Sequence, residues 1–259
     1  MDVKACLTKD HIRNLAEKGQ RIDGRGNLDI RQITCEKDYA DQKAPGSALV
    51  NLGDTKVLVG ISMDVGEPYS DRPNSGVMTT TAEFRPMASP DFESGPPREN
   101  AIELARVVDR GIRESNAIDL EKLYIEDDKV WIVFIDVHIM DNNGNLIDAS
   151  GLAAAAALSQ TRLPKYEDGQ VIRGEWEGKL PLNKIPLPLT ASKIRDQIML
   201  DPALEEEYAQ DARLTVATAE GAIHAMQKGG EGRFTTQEVE QIIDSALEKT
   251  PSIRKTLDI

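Results

Sequence analysis

The chain has 259 residues, 40 % of them hydrophobic, and its 31 Lys and Arg against 44 Asp and Glu give a net charge of −13. That length suffices for one large domain or two small ones with a sizeable core. No apolar run approaches the roughly 20 residues of a membrane-spanning helix, and the acidic balance excludes a broad basic nucleic-acid footprint, leaving only local or shared binding.

In chain order, apolar spacing at Ile12, Leu15 and Ala16 predicts a helix from Thr8 to Lys18, stopped by Gly19. A loop carrying Arg21-Ile22-Asp23-Gly24-Arg25-Gly26 follows. Alternation at Ala48, Val50 and Leu52, a Gly53-Asp54 turn, and renewed alternation from Val57 to Val65 predict a β-hairpin. A Thr-rich strand at Val77–Phe84 leads into a proline-punctuated loop, Arg85 to Pro97. A helix from Glu99 to Glu114 comes next, and the nearly unbroken apolar run Val130–Met140 reads as a strand buried on both faces. Asn142 to Asn145 form a turn, and an alanine-dense helix runs from Asp148 to Gln160. Past a Pro-rich stretch at 181–188, short strands are expected at Ile198–Leu200, Arg213–Ala219 and Ala222–Gln227, with a Glu220-Gly221 turn. A Thr235–Glu238 capping box opens the last helix. The class is α+β.

Two cysteines, Cys6 and Cys35, form no CxxC pair, and His11, His138 and His224 have no metal-ligand spacing, so neither a disulfide framework nor a zinc site has support. With a polar start, Met1-Asp2-Val3-Lys4, the composition predicts a cytoplasmic protein without cofactor or metal and without membrane contact. Arg106, Arg110 and Arg113 share one helix face opposite the stripe Ala101, Leu104, Ala105, Val108 and Ile112. Such a row suits successive phosphates of a single strand. It equally describes a solvated face with Glu103–Arg106 and Asp109–Arg113 pairs. The bland readings elsewhere are Asp148 as a helix N-cap, Glu205–Glu207 as a solvated turn, Lys228–Arg233 as a flexible turn, His138 as a core histidine, and Trp131 and Trp176 as packing residues.

Arg21-Ile22-Asp23-Gly24-Arg25, Gly46-Ser47-Ala48 and Gly53-Asp54-Thr55-Lys56-Val57 resemble, in order, successive signatures of the RNase PH family. The helix Glu99–Arg110, the segment Gly144–Ala149 and the tail Gln227–Thr235 resemble its non-catalytic ring-subunit branch in the archaeal exosome, over about residues 8 to 250. The resemblance implies an RNase PH-type fold of two related β/α halves with mixed sheets flanked by helices. It divides one domain, 1–259, into an N-terminal helix (1–19), a first half (about 20–165) and a second half (about 185–250). It further implies three copies alternating with three of a catalytic sister in a hetero-hexameric ring, RNA-binding cap proteins on one face, and single-stranded RNA in the channel, with Arg106, Arg110 and Arg113 on the RNA path. Arg21, Asp23 and Arg25 are expected to be structural.

Phosphorolysis needs a phosphate cradle, best at a helix N-terminus, and a carboxylate that helps the leaving oxygen. Catalytic relatives carry hydroxyl-bearing and basic residues after the glycine that opens the alanine helix. This chain has Gly144-Asn145-Leu146-Ile147-Asp148, and Asp148 would repel an incoming phosphate. Of the family's two working aspartate positions, Glu207 keeps a carboxylate and Arg213 reverses the charge. Gly144, Asn145, Asp148, Glu207 and Arg213 therefore read as degenerate active-site positions. The competing readings are an active phosphorolytic exoribonuclease and an unrelated α+β protein.

Overall fold

The computed structural model describes residues 3–40 and 44–259, with side chains from residue 8 onward, so Met1, Asp2 and the Cys6 side chain lie outside the described residues. The first helix, α1 (Val3–Glu17), begins five residues before the expected Thr8. Its one-turn pair Ile12 and Ala16 is buried with Ile194, Met199 and Ala209.

The first sheet contains β1 (Ile33–Lys37), β2 (Gly46–Leu52), β3 (Thr55–Gly66) and β4 (Val77–Phe84). Helix α2 (Glu99–Glu114) precedes β5 (Tyr124–Glu126) and β6 (Lys129–Asp141). The order is β1-β2-β3-β6-β4, with β5 on β6. Only the β4–β6 pair is parallel, and α2 supplies the crossover that a parallel connection requires. The hairpin closes at Gly53-Asp54 as expected. Strand β6 is not buried on both faces. Trp131, Val133, Ile135, Val137 and Ile139 point into the core, while Ile132, Phe134, Asp136, His138 and Met140 stay partly exposed, because helices cover one side of this sheet only.

Helix α3 (Leu146–Gln160) lies against β2 and β3 on one side and against β9 (Leu187–Ile194) on the other. A helix clasped between two sheets has no solvated stripe. Small side chains let both layers approach, and Ala149 and Leu152 through Leu158 are all buried. The approach is closest at Gly151, where an added Cβ would lie 2.4 Å from Pro188. Between α3 and β9 a twisted ribbon, β7 (Arg162–Glu167) and β8 (Gln170–Lys179), stands apart from both sheets. The sequence reading missed it because Pro164 breaks the register and Gly174 and Gly178 interrupt β8.

The second sheet is antiparallel, β10-β9-β11-β12, with β10 (Gln197–Leu200), β11 (Ala212–Ala219) and β12 (Ala222–Gly229). Strand β9 was hidden by Pro186 and Pro188 at its start. Between β10 and β11 sits α4 (Leu204–Ala209), where a solvated turn was expected. Helix α5 (Thr236–Leu257) opens with the expected capping box, Thr235 N–H donating to Glu238 and Glu238 N–H to Thr235 Oγ1. The Lys228–Arg233 segment is largely exposed but anchored through its glycines. Gly232 N–H donates to Asp211 O at 2.7 Å, and a Cβ on Gly230 would meet the same carbonyl.

Candidate functional site

Helix α2 buries Ala101, Leu104, Ala105, Val108 and Ile112 and turns Arg106 and Arg110 to solvent. Neither exposed guanidinium has an ion-pair partner among the described residues. Glu103, the carboxylate expected to neutralise Arg106, is engaged by Arg213 instead. Arg113 differs from the other two. It donates to both Asp109 oxygens and, at 2.9 Å, to the Met78 carbonyl, which ties the end of α2 to β4.

The N-terminus of α3 is engaged from within the chain at Asn145 and Asp148. Asn145 adopts a left-handed conformation and is the N-cap, accepting from the Asp148 N–H, so the cap is Asn145 rather than Asp148. Asp148 is buried one turn further in. It accepts from Thr190 N–H, Thr190 Oγ1 and the Asn145 side-chain amide at 2.7 to 2.8 Å. Burial pushes its carboxyl up to about 6, against the pull of those donors. Gly144 before it has φ 83°, and a Cβ there would stand 2.5 Å from the Ala203 and Leu204 backbone.

The carboxylate of Glu207, delivered by α4, accepts the Asn145 backbone N–H at 2.9 Å. Burial raises it to about 7, opposed by that N–H and by the charges of Arg213 and Arg31. A side-chain anion therefore sits where a helix N-terminus would receive a phosphate oxygen. Glu207 itself is half-buried at the cleft, whereas its neighbour Glu206 is fully buried, in a bidentate pair with Arg21, whose guanidinium also donates to the Leu200 and Asp201 carbonyls. The expected solvated acidic run is thus partly an internal tether.

Asp201 organises the region, and sequence reasoning missed it. Burial pushes its carboxyl up, but hydrogen bonds and charge from Arg31, with a further bond from Asn145, outweigh burial and hold it below the usual carboxylate range. It also receives Arg25, which Asp23 clamps from the other side. Arg21 and Arg25 thus act structurally, as expected, but the three do not form one internal cluster: Arg21 is buried on Glu206, while the Arg25–Asp23 pair is at the surface. Arg31 and Asp201 are 170 residues apart, so no local pattern joins them.

An open cleft of about 610 Å³ lies in front of Glu207 and the start of α3. Its guanidiniums are all paired: Arg85 with Glu83, Arg98 with Glu93, and Arg213 with Glu103. Asp91 and Glu207 add two more acids, so five carboxylates face three arginines. Asp91 accepts from Tyr208, whose phenol is pushed up to about 12 by burial and this acid. Such a cleft repels a polyanion. Among the described residues no group of three His, Cys, Asp or Glu side chains is placed to hold a metal ion.

Two lesser expectations divide. His138 is not a core histidine; it lies on the open face of β6, with Nδ1 3.4 Å from Glu83. Trp131 is buried edge-on to Tyr166, and Trp176 carries the Arg162 guanidinium 4.3 Å above its ring, so both pack. No helix among the described residues is long and apolar enough to cross a membrane.

The geometry has known counterparts. The chain is 52 % identical over 262 residues, 98 % of its length and 96 % of the relative's, to the exosome complex component Rrp42 of Thermococcus kodakarensis. It is 51 % identical over 259 residues to the protein of the same name from Methanocella arvoryzae, covering 99 % and 98 %. Its fold matches a chain of the Archaeoglobus fulgidus exosome with RNA bound to the active site at TM-score 0.91 and 42 % identity, covering 98 % and 99 %. An archaeal exosome core chain gives TM-score 0.87 at 38 % identity, covering 99 % and 98 %. Residues 29–164 and 184–249 match domains 1 and 2 of the 3′ exoribonuclease family, respectively, and the chain belongs to that family, the RNase PH family.

Proposed function

We propose that this chain is the non-catalytic, RNA-holding subunit of an archaeal exosome, a phosphate-dependent 3′-to-5′ RNA-degrading complex. It supports the active site of a catalytic RNase PH-like sister and lends Arg106 and Arg110 to the path of single-stranded RNA. Three copies alternate with three of the sister in a hetero-hexameric ring, a trimer of heterodimers, with RNA-binding cap proteins on one face, in the cytoplasm. Catalytic silence is supported by two contacts. The α3 N-terminus is bonded to Glu207, and Arg213 stands on Glu103 where a second working acid is needed. On this reading the phosphate cradle is occupied at Asn145 and the proton-transfer pair is broken at Arg213.

RNA holding is supported by two exposed guanidiniums, unpartnered among the described residues and carried about 6 Å apart along the helix axis, on an otherwise acidic protein. Arg113, expected in the same role, is engaged by Asp109 and Met78 and serves to fix the helix. The test uses the ring reconstituted with its catalytic sister. Arg106→Glu with Arg110→Glu weakens single-stranded RNA binding and slows degradation while leaving assembly intact. Degradation at the wild-type rate across a salt series rejects the RNA-holding role.

A further inference from the structure

Residues 67–76 join β3 to β4 and carry one strongly exposed aromatic side chain. Tyr69 is 59 % exposed. An isolated exposed tyrosine is ordinary; its mounting and neighbours are not. Two successive turns hold the loop, Arg72 N–H donating to Tyr69 O at 2.9 Å and Ser75 N–H to Arg72 O at 3.3 Å. Pro68 and Pro73 fix φ at two further positions. The far end is fastened by Gly76 N–H to Leu120 O at 2.8 Å. The loop enters β4 beside Met78, whose carbonyl binds Arg113 of the last turn of α2. Arg113 is held firmly protonated mainly by its Asp109 hydrogen bond, and Tyr69 lies near it. Arg72, exposed on the same loop, has only a long 3.9 Å contact to Asp71.

We propose that Tyr69 is a base-stacking platform at the C-terminal end of the α2 arginine row, taking an unpaired nucleobase of the strand whose phosphates meet Arg106 and Arg110. The inference rests on the RNA-holding reading and deepens it. A phosphate row alone grips a backbone without fixing the bases. A pre-set aromatic beside it adds sequence-tolerant stacking, since every base has a π-face and the ring loses little entropy.

The experiment measures oligoadenylate binding to the reconstituted ring. Tyr69→Ala lowers affinity by about 5- to 100-fold, Tyr69→Phe keeps it, and neither changes the slope against salt, because every phosphate keeps its cation. On the wild-type ring, an abasic residue walked along the oligonucleotide weakens binding at the position that meets Tyr69, and Tyr69→Ala erases that position's effect. If Tyr69→Ala binds like wild type while Arg106→Glu with Arg110→Glu binds weakly, stacking is overturned and the arginine reading stands. If neither variant weakens binding, the arginine reading has failed as well. Equal loss on a fully abasic strand also overturns stacking, and the abasic walk on the wild-type ring decides the question should Tyr69→Ala fail to assemble.

Discussion

Glu207 Oε1 and the backbone N–H of Asn145 lie 2.9 Å apart, bonded across 62 residues of sequence. One carboxylate thereby fills the anion position at the start of α3. Because burial raises that carboxyl from 4.5 to about 7, the folded chain binds its proton more tightly than the unfolded chain does. The resulting cost is absent below about pH 4.5, grows as pH rises, and is complete above about pH 7.

Glu207→Gln keeps an acceptor for Asn145 and removes the ionisation. The variant is expected to match wild type near pH 4.5 and to be more stable at pH 8, by at most about 3 kcal/mol. Denaturant midpoints at several pH values check this. A stability gap that does not widen between pH 5 and 8 contradicts the buried-carboxylate account.

Restoring one acid should not restore chemistry. Arg213→Asp leaves Glu103 unpaired and adds a sixth carboxylate to the cleft, and Glu207 still covers the Asn145 N–H. Incubated with phosphate, divalent metal and single-stranded RNA, neither wild type nor Arg213→Asp releases nucleoside diphosphate. Measurable release by the wild-type chain alone refutes its catalytic silence.

The arginine pair acts on affinity through charge. Each arginine–phosphate pairing that Arg106→Glu with Arg110→Glu abolishes lowers the salt-dependence slope by about 0.7, and equally for any base sequence. Binding isotherms over a salt series read the slope directly, and an unchanged slope removes these arginines from the RNA path.

Arg21 and Glu206 form a buried bidentate pair that ties the first loop to α4. Arg21→Ala strands a buried carboxylate and costs about 3 to 5 kcal/mol. Arg21→Lys recovers only part of that, since an ammonium cannot reproduce the fork. Urea unfolding of the two variants measures both losses.

Gly144→Ala and Gly151→Ala probe the seats of α3. The first forces a Cβ against the Ala203–Leu204 backbone at a left-handed φ, and the second drives one into Pro188. Both are expected to destabilise by about 1 to 3 kcal/mol or more, with thermal unfolding as the readout. A neutral Gly144→Ala contradicts the close approach of α4.

Local periodicity by itself determined the β2–β3 hairpin, β4, α2 and the capping box of α5, because their patterns repeat within a few residues. The arginine row was legible for the same reason: i and i+4 share a helix face whatever the fold. The reading of Arg213 as a replaced acid comes from the family resemblance, not from any local pattern. Tertiary structure decided which arginines stay free. Asp109 and the Met78 carbonyl take Arg113, while Arg213 draws Glu103 away from Arg106. It also turned Glu206 and Glu207 inward, made Asn145 rather than Asp148 the cap, and brought Asp201 to Arg31 across 170 residues. Those outcomes depend on burial and on donors from distant strands. A carboxylate's partners and protonation are set by what surrounds it in space, and the sequence orders only its neighbours along the chain.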